Sequence, residues 1–324
     1  MLESYSFINN ELEALEAYLM EKFPQKGGIL TEASQKTINA GGKRLRPILA
    51  ILSGMFGEYS RDKIIPLAAA LETLHSATLV HDDIIDNAET RRGQPSVSAK
   101  HGINLAVYAG DYMLVKAVMM LSEAGLPAEK LKEVAQALES MCVGEVEQYL
   151  GRNKVPTVRE YLKRIMRKTG ILLSASCSLG AFSAGCSEEQ VKVLGRFGMY
   201  FGTAFQIRDD LLDIEPSEFD KDKIGKPVIR DLKEGVITLP VILAAYRNTS
   251  VRKQLESFFS GQGDVASLIP AIVAAGGPAE SRRIKNRYIN KCLGLLEGLP
   301  DTKQRRAMEE AVLWLGDSSF TATA

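Results

Sequence analysis

The 324-residue sequence has no net charge: 40 Lys and Arg stand against 40 Asp and Glu. No general field therefore draws in nucleic acid, and any polyanion chemistry must rest on local clusters. It also lacks paired cysteines. Cys142, Cys177, Cys186 and Cys292 lie far apart with no CxxC, so they read as reduced core thiols of a cytosolic protein. An export signal is absent as well: Met1 to Phe23 carries five Glu and no basic residue before Lys22. The longest uncharged stretch, the 18 residues Gly170 to Ser187, holds five Ser, three Gly and two Cys. It is too polar for a membrane span and reads as a small-residue helix buried among other helices.

What remains is an ordinary globular composition, 45% hydrophobic and 25% charged, with 27 Gly and 12 Pro spread along the chain. Apolar residues recur at spacings of three and four, as in Leu12, Leu15, Leu19 and Leu131, Val134, Leu138, Met141. That is the helical period, and strand-like alternation is scarce. Breaks at Pro24 to Gly28, Gly57 to Ser60, Gly125 to Pro127, Gly151 to Pro156, Gly185 to Ser187, Pro216 to Pro227 and Gly261 to Gly263 divide the chain into helices. With no fixed repeat, linker or low-complexity tract, the expectation is all-α: one large helical bundle spanning residues 1–324 as a single domain.

Aspartate is sparse but concentrated. Six of the 14 Asp fall in two copies of DDxxD, Asp82-Asp83-Ile84-Ile85-Asp86 and Asp209-Asp210-Leu211-Leu212-Asp213. At this Asp frequency about 0.03 such matches arise by chance. Each copy ends an apolar helical run, and residues i and i+4 share a helix face, so the outer carboxylates form a claw. Three carboxylates at a helix C-terminus oppose its dipole unless a cation compensates. All-oxygen donors with open positions suit Mg²⁺ shared with a phosphate, and no DxDxDG calcium loop is present. Two facing claws would hold a diphosphate and neutralise its departure as a leaving group.

Basic residues supply the complement. In Gly41-Gly42-Lys43-Arg44-Leu45-Arg46-Pro47 the glycines let backbone approach an anion while Lys43 and Arg46 reach it together. Arg91-Arg92-Gly93 follows the first claw, and His75 and His81 lie within two turns before it. A metal-free anion pocket beside the claws would place two diphosphates side by side, which points to transfer between them.

These segments, with Gly144-Glu145-Val146-Glu147-Gln148, Lys168-Thr169-Gly170, Gln206 and Thr238-Leu239-Pro240, resemble the trans-isoprenyl diphosphate synthases, in order, from about residue 40 to 245. The resemblance implies an isoprenoid-synthase-type helical bundle with a central cavity. It implies Mg²⁺-dependent condensation of isopentenyl diphosphate onto an allylic diphosphate, with three ions per site. By motif, Asp82, Asp86, Asp209 and Asp213 are implied metal ligands, with Asp83 and Asp210 supporting them. Arg91, Lys168, Gln206 and Lys226 are implied on the allylic side. Lys43, Arg46, His75 and Arg92 are implied for isopentenyl diphosphate, and Lys168 and Thr169 flank the developing carbocation. No Ser/His/Asp or Cys/His nucleophile arrangement is present, and this chemistry requires none.

The helix bearing the first claw is expected to line the cavity below it through Thr78, Ala77 and Leu74, with Leu71, Val118 and Met119 as further wall or floor. A small residue at 77 leaves room for a long tail; the resemblance implies an all-trans product of about C30 to C40, with heptaprenyl favoured, and Ala77→Tyr is expected to shorten it. The resemblance is greatest to the large subunit of bacterial heptaprenyl diphosphate synthases. That implies a homodimer or a heterodimer with a small partner subunit, in the cytoplasm and peripheral to the membrane only through an apolar product. A shorter-chain synthase, a terpene cyclase and a non-catalytic subunit of the same fold are the alternatives.

Overall fold

A computed structural model describes residues 6–24, 27–215, 231–263 and 267–316. The first half runs α1 (Ser6–Lys22), α2 (Ile29–Asn39), α3 (Leu45–Gly54), α4 (Arg61–Ile85), a two-residue hairpin pairing β1 (Thr90–Arg91) with β2 (Gln94–Pro95), α5 (Val97–His101), α6 (Ile103–Glu123) and α7 (Ala128–Leu150). It continues with α8 (Val158–Ile165), a π turn (Met166–Gly170), α9 (Ile171–Ser183) and α10 (Glu188–Ile214). The last described helices are α11 (Leu239–Arg247), α12 (Thr249–Phe259), α13 (Leu268–Ala274), α14 (Gly277–Glu297) and α15 (Lys303–Gly316).

Local chemistry sets several boundaries. Thr157 and Ser187 open α8 and α10 with reciprocal capping boxes to Glu160 and Gln190, which satisfy otherwise orphaned N-terminal donors. Glycine-containing breaks end α3, α6, α7 and α9 where the sequence places them; the break at Pro216 to Pro227 lies outside the described residues.

Two hydrophobic clusters flank the cavity. One surrounds α10, α11, α14 and α15, and the other surrounds α4 and α6. Helices α3 and α9 feed both: Leu49 and Leu173 face the first, Ile51 and Leu172 the second. Each such fully buried aliphatic side chain contributes roughly 1.5–3 kcal/mol. The small-residue stretch becomes α9, wedged between α3 and α10. A Cβ on Gly180 would lie 2.2 Å from the Ala50 carbonyl oxygen, and one on Gly198 would lie 2.3 Å from that of Leu173. Close backbone approach thus explains the run of small residues and confirms the buried-helix expectation. By length and composition α4 and α6 could each cross a bilayer, but 78% of the apolar stretch of α4 is buried in protein. Helix α6 keeps an exposed apolar face.

Candidate active site

Both DDxxD segments fall at helix ends, as expected. Asp82 and Asp83 lie in the last turn of α4 with Asp86 as its C-cap, and Asp209 to Asp213 end α10. Between the two helices lie adjoining cavities of about 770 and 470 Å³, which share Asp82, Glu145, Lys168 and Gln206. The larger lobe is basic and apolar, lined by Lys43, Arg46, His75, Arg92, Asp209 and Leu173 among others. The smaller is acidic, lined by Asp86, Asp210, Asp231 and Glu234 with Arg152 and Arg164.

Asp83 turns elsewhere, and Asp213 lines neither lobe. Asp83 is 5% exposed and accepts from Arg91 Nε at 2.7 Å. Neither residue lines either lobe, so Asp83 positions Arg91, and Arg91 stands beside the acidic rim with Asp86 and Asp231. Asp210, also buried, accepts from Tyr161 Oη at 2.5 Å, Gln206 Nε2 at 3.1 Å and the Leu239 amide at 3.3 Å. Thr169 Oγ1 donates to Gln206 Oε1 at 2.9 Å. A chain Thr169–Gln206–Asp210–Tyr161 therefore fixes the side chains between the claws. The π turn, closed by the Ile171 amide on the Met166 carbonyl, brings Lys168 and Thr169 to the cavity wall; such wide turns recur at functional sites. Lys168 Nζ lies 2.9 Å from Glu145 and 3.8 Å from Asp82. Burial opposes its charge, yet these carboxylates raise the ammonium above its ordinary range.

The remaining carboxylates are poorly compensated. Burial raises Asp82, against Lys168 and with Glu145 and Asp86. Asp209 is pushed up to about 6 by burial against the pull of Lys43. Asp213 is pushed up to about 7 by burial and by Asp231, Asp210 and Asp209. Such a set fits a hard dication. Among the described residues no three potential ligands converge closely enough to cage an ion by themselves.

A stability prediction follows. Carboxyls whose folded values exceed the ordinary 3.8 bind protons more readily folded than unfolded, so metal-free protein gains stability as pH falls through about 7 toward 4.5. The melting temperature should rise by about 2–5 °C from pH 8 to 5.5. Asp213→Asn should flatten that rise in calorimetry, and an equally steep profile in the variant would refute the assignment.

The basic loop is strained into place. Gly41 and Gly42 have φ of 80° and 147°, and Arg44 has φ 46°. The φ of Gly42 favours glycine, and a Cβ there would lie 2.8 Å from the Arg92 guanidinium and displace it. Arg44, on the wall of the larger lobe, is held by Glu16 and Glu72, at 2.9 and 3.1 Å. Arg46 is depressed to about 10 by burial and by Arg92, against Glu72, and remains cationic at neutral pH. His75 falls well below its ordinary range through burial and then Arg46, Arg92, Arg91 and Arg44. It is a neutral hydrogen-bonding group there. Arg46 Nε and Glu72 Oε2 are buried without hydrogen-bond partners, as expected of a pocket built for a ligand.

Other expectations are corrected. Thr78 lines the cavity, but Ala77 and Leu74, both 0% exposed, pack in the α4–α6 core behind its wall. Val118 and Met119 are exposed on α6, because helical phase turns them outward. Cys142 is no core thiol: it is exposed and lines the larger lobe. Lys226 lies outside the described residues. Sequence reasoning assigned no role to Glu72 or Tyr161, whose partners lie 28 and 49 residues away.

A family profile described as Polyprenyl synthetase matches residues 28–274. Heptaprenyl diphosphate synthase component 2 of Geobacillus stearothermophilus is 37% identical over 319 residues, covering 98% of each chain. The crystal structure of heptaprenyl diphosphate synthase from Staphylococcus aureus superposes with a TM-score of 0.88 at 30% identity, covering 95% of this chain and 98% of that one. Polyprenyl synthase from Caulobacter crescentus CB15, crystallised with calcium and isoprenyl diphosphate, gives 0.86 at 26% identity, covering 96% of both.

Proposed function

Given that this chain belongs to the polyprenyl synthetase family and is a trans-polyprenyl diphosphate synthase, a Mg²⁺-dependent class of prenyltransferase, we propose how its residues divide the work. The observation that carries the division is the two-lobed cavity, with basic anion ligands in one lobe and Asp82, Asp86 and Asp209 around the junction. Asp82, Asp86, Asp209 and Asp213 would hold Mg²⁺, three ions per site. When bound, the ions supply positive charge that stabilises the departing diphosphate.

Lys168 donates to the same leaving group as the allylic C–O bond breaks. Thr169 Oγ1, its proton committed to Gln206, presents lone pairs toward the carbocation. Lys43, Arg46 and Arg92, with neutral His75, hold isopentenyl diphosphate so that its double bond meets that carbon. A C–C bond forms, and the proton lost from the isopentenyl unit passes to the released diphosphate. Leu173 and Met141 on the apolar wall exclude water from the cation. The product is a C30 to C40 chain, heptaprenyl by preference.

A partner completes the enzyme. Val107, Tyr108, Val115, Val118 and Met119 form an exposed apolar face on α6, larger than scattered surface residues require. A second copy or a small subunit covers it, and the relative named as component 2 supports the latter. The enzyme works in the cytoplasm and meets the membrane through its product. Incubation with Mg²⁺, isopentenyl diphosphate and farnesyl diphosphate should give C30 to C40 diphosphates. Activity only after adding cell extract identifies the heteromer; cyclic hydrocarbon products, or none under either condition, would overturn the reading.

A further inference from the structure

The chain has a single tryptophan, Trp314 on α15. It is 6% exposed and does not line either lobe. Two cations rest on its ring: Lys43 Nζ at 4.6 Å and the Arg208 guanidinium at 4.1 Å from the centroid. Phe205 stacks against Trp314 at 6.3 Å and lies 5.1 Å from Lys43 Nζ. Lys43 opens into the basic lobe, and among the described residues its ammonium donates no hydrogen bond and forms no ion pair.

An ion pair would also hold Lys43, but it would occupy N–H donors and neutralise the charge needed for an anion. An aromatic face attracts the cation through its quadrupole and leaves the three N–H groups for a ligand. We propose that Trp314 is a positioning residue that aims Lys43 at the diphosphate of isopentenyl diphosphate and couples α15 to occupancy of that subsite. The proposal rests on the reading of Lys43 as an isopentenyl diphosphate ligand.

Because Trp314 is the sole tryptophan, its emission reports on that environment alone. Titrating the full chain with isopentenyl diphosphate, without Mg²⁺ or allylic substrate, should change the emission saturably, and Lys43→Gln should abolish the change. In steady state, Trp314→Leu should raise KM for isopentenyl diphosphate about 5–20-fold while leaving kcat and the allylic KM within about twofold, and Trp314→Phe should recover most of the loss. Unchanged KM in Trp314→Leu overturns the proposal, as does a wild-type emission that ignores ligand. If Trp314→Leu loses helicity, the emission titration and Trp314→Phe decide the matter. If the wild type makes no prenyl product, the functional reading fails; emission titrated with inorganic pyrophosphate still tests the Trp314–Lys43 coupling.

Discussion

Replacing Asp82 or Asp209 with alanine should lower turnover by at least about 10³-fold, the scale associated with losing a preorganised group that stabilises leaving-group charge. The loss should appear in kcat at saturating Mg²⁺, because ionisation of the allylic diphosphate is where that charge develops. Stability should move the other way. Asp209 is held up at about 6 chiefly by burial, so in metal-free protein at neutral pH its charge opposes folding. Asp209→Asn should therefore melt higher than the wild type while being nearly inactive, a trade expected where a site is built for a ligand. Asp83→Asn should be milder, since Asp83 acts through Arg91. Turnover within tenfold of wild type in Asp82→Ala, measured with radiolabelled isopentenyl diphosphate, would remove this carboxylate from the chemistry.

Thr78→Tyr should shorten the product from C30–C40 to about C15–C20. Thr78 lies one helical turn before Asp82 and faces the larger lobe. A turn rises 5.4 Å, comparable to one extended isoprene unit, so a ring there caps the tail after very few additions. The Thr78 hydroxyl donates to the His75 carbonyl at 2.7 Å, a local bond whose loss leaves the helix intact. Ala77→Tyr, the neighbouring change, starts from the packed α4–α6 core. It should shorten the product only with a stability loss of about 1–3 kcal/mol from overpacking. Mass spectrometry of the products and thermal melts separate the two; an unchanged chain length in Thr78→Tyr would move the cavity wall elsewhere.

The helical bundle was legible because apolar spacing of three and four is a local signal, and the claws because DDxxD occurring twice is improbable in a chain this poor in Asp. The glycines before Lys43 also announced a strained anion loop, and its positive φ values agree. Side-chain direction was less legible. Asp82 and Asp83 are adjacent in sequence, yet one faces the cavity and the other faces Arg91. By contrast Asp209 lines the basic lobe, whereas Asp210 lines the acidic one and is tied there to Tyr161 and the Leu239 amide.

The amino-acid order alone determined the family, the metal-suited chemistry and the residue types proposed for both diphosphate subsites, because charge, hydrogen-bonding capacity and helical period belong to the chain itself. Tertiary packing alone decided which carboxylates line the cavity, which side chain of α4 faces it, and which aromatic ring lies beside Lys43. Those outcomes depend on partners brought together from distant helices: Tyr161 for Asp210, α6 behind Ala77, and Trp314 beside Lys43. Burial then completed the electrostatics, since a carboxylate's affinity for protons or metal depends on the water and charges around it.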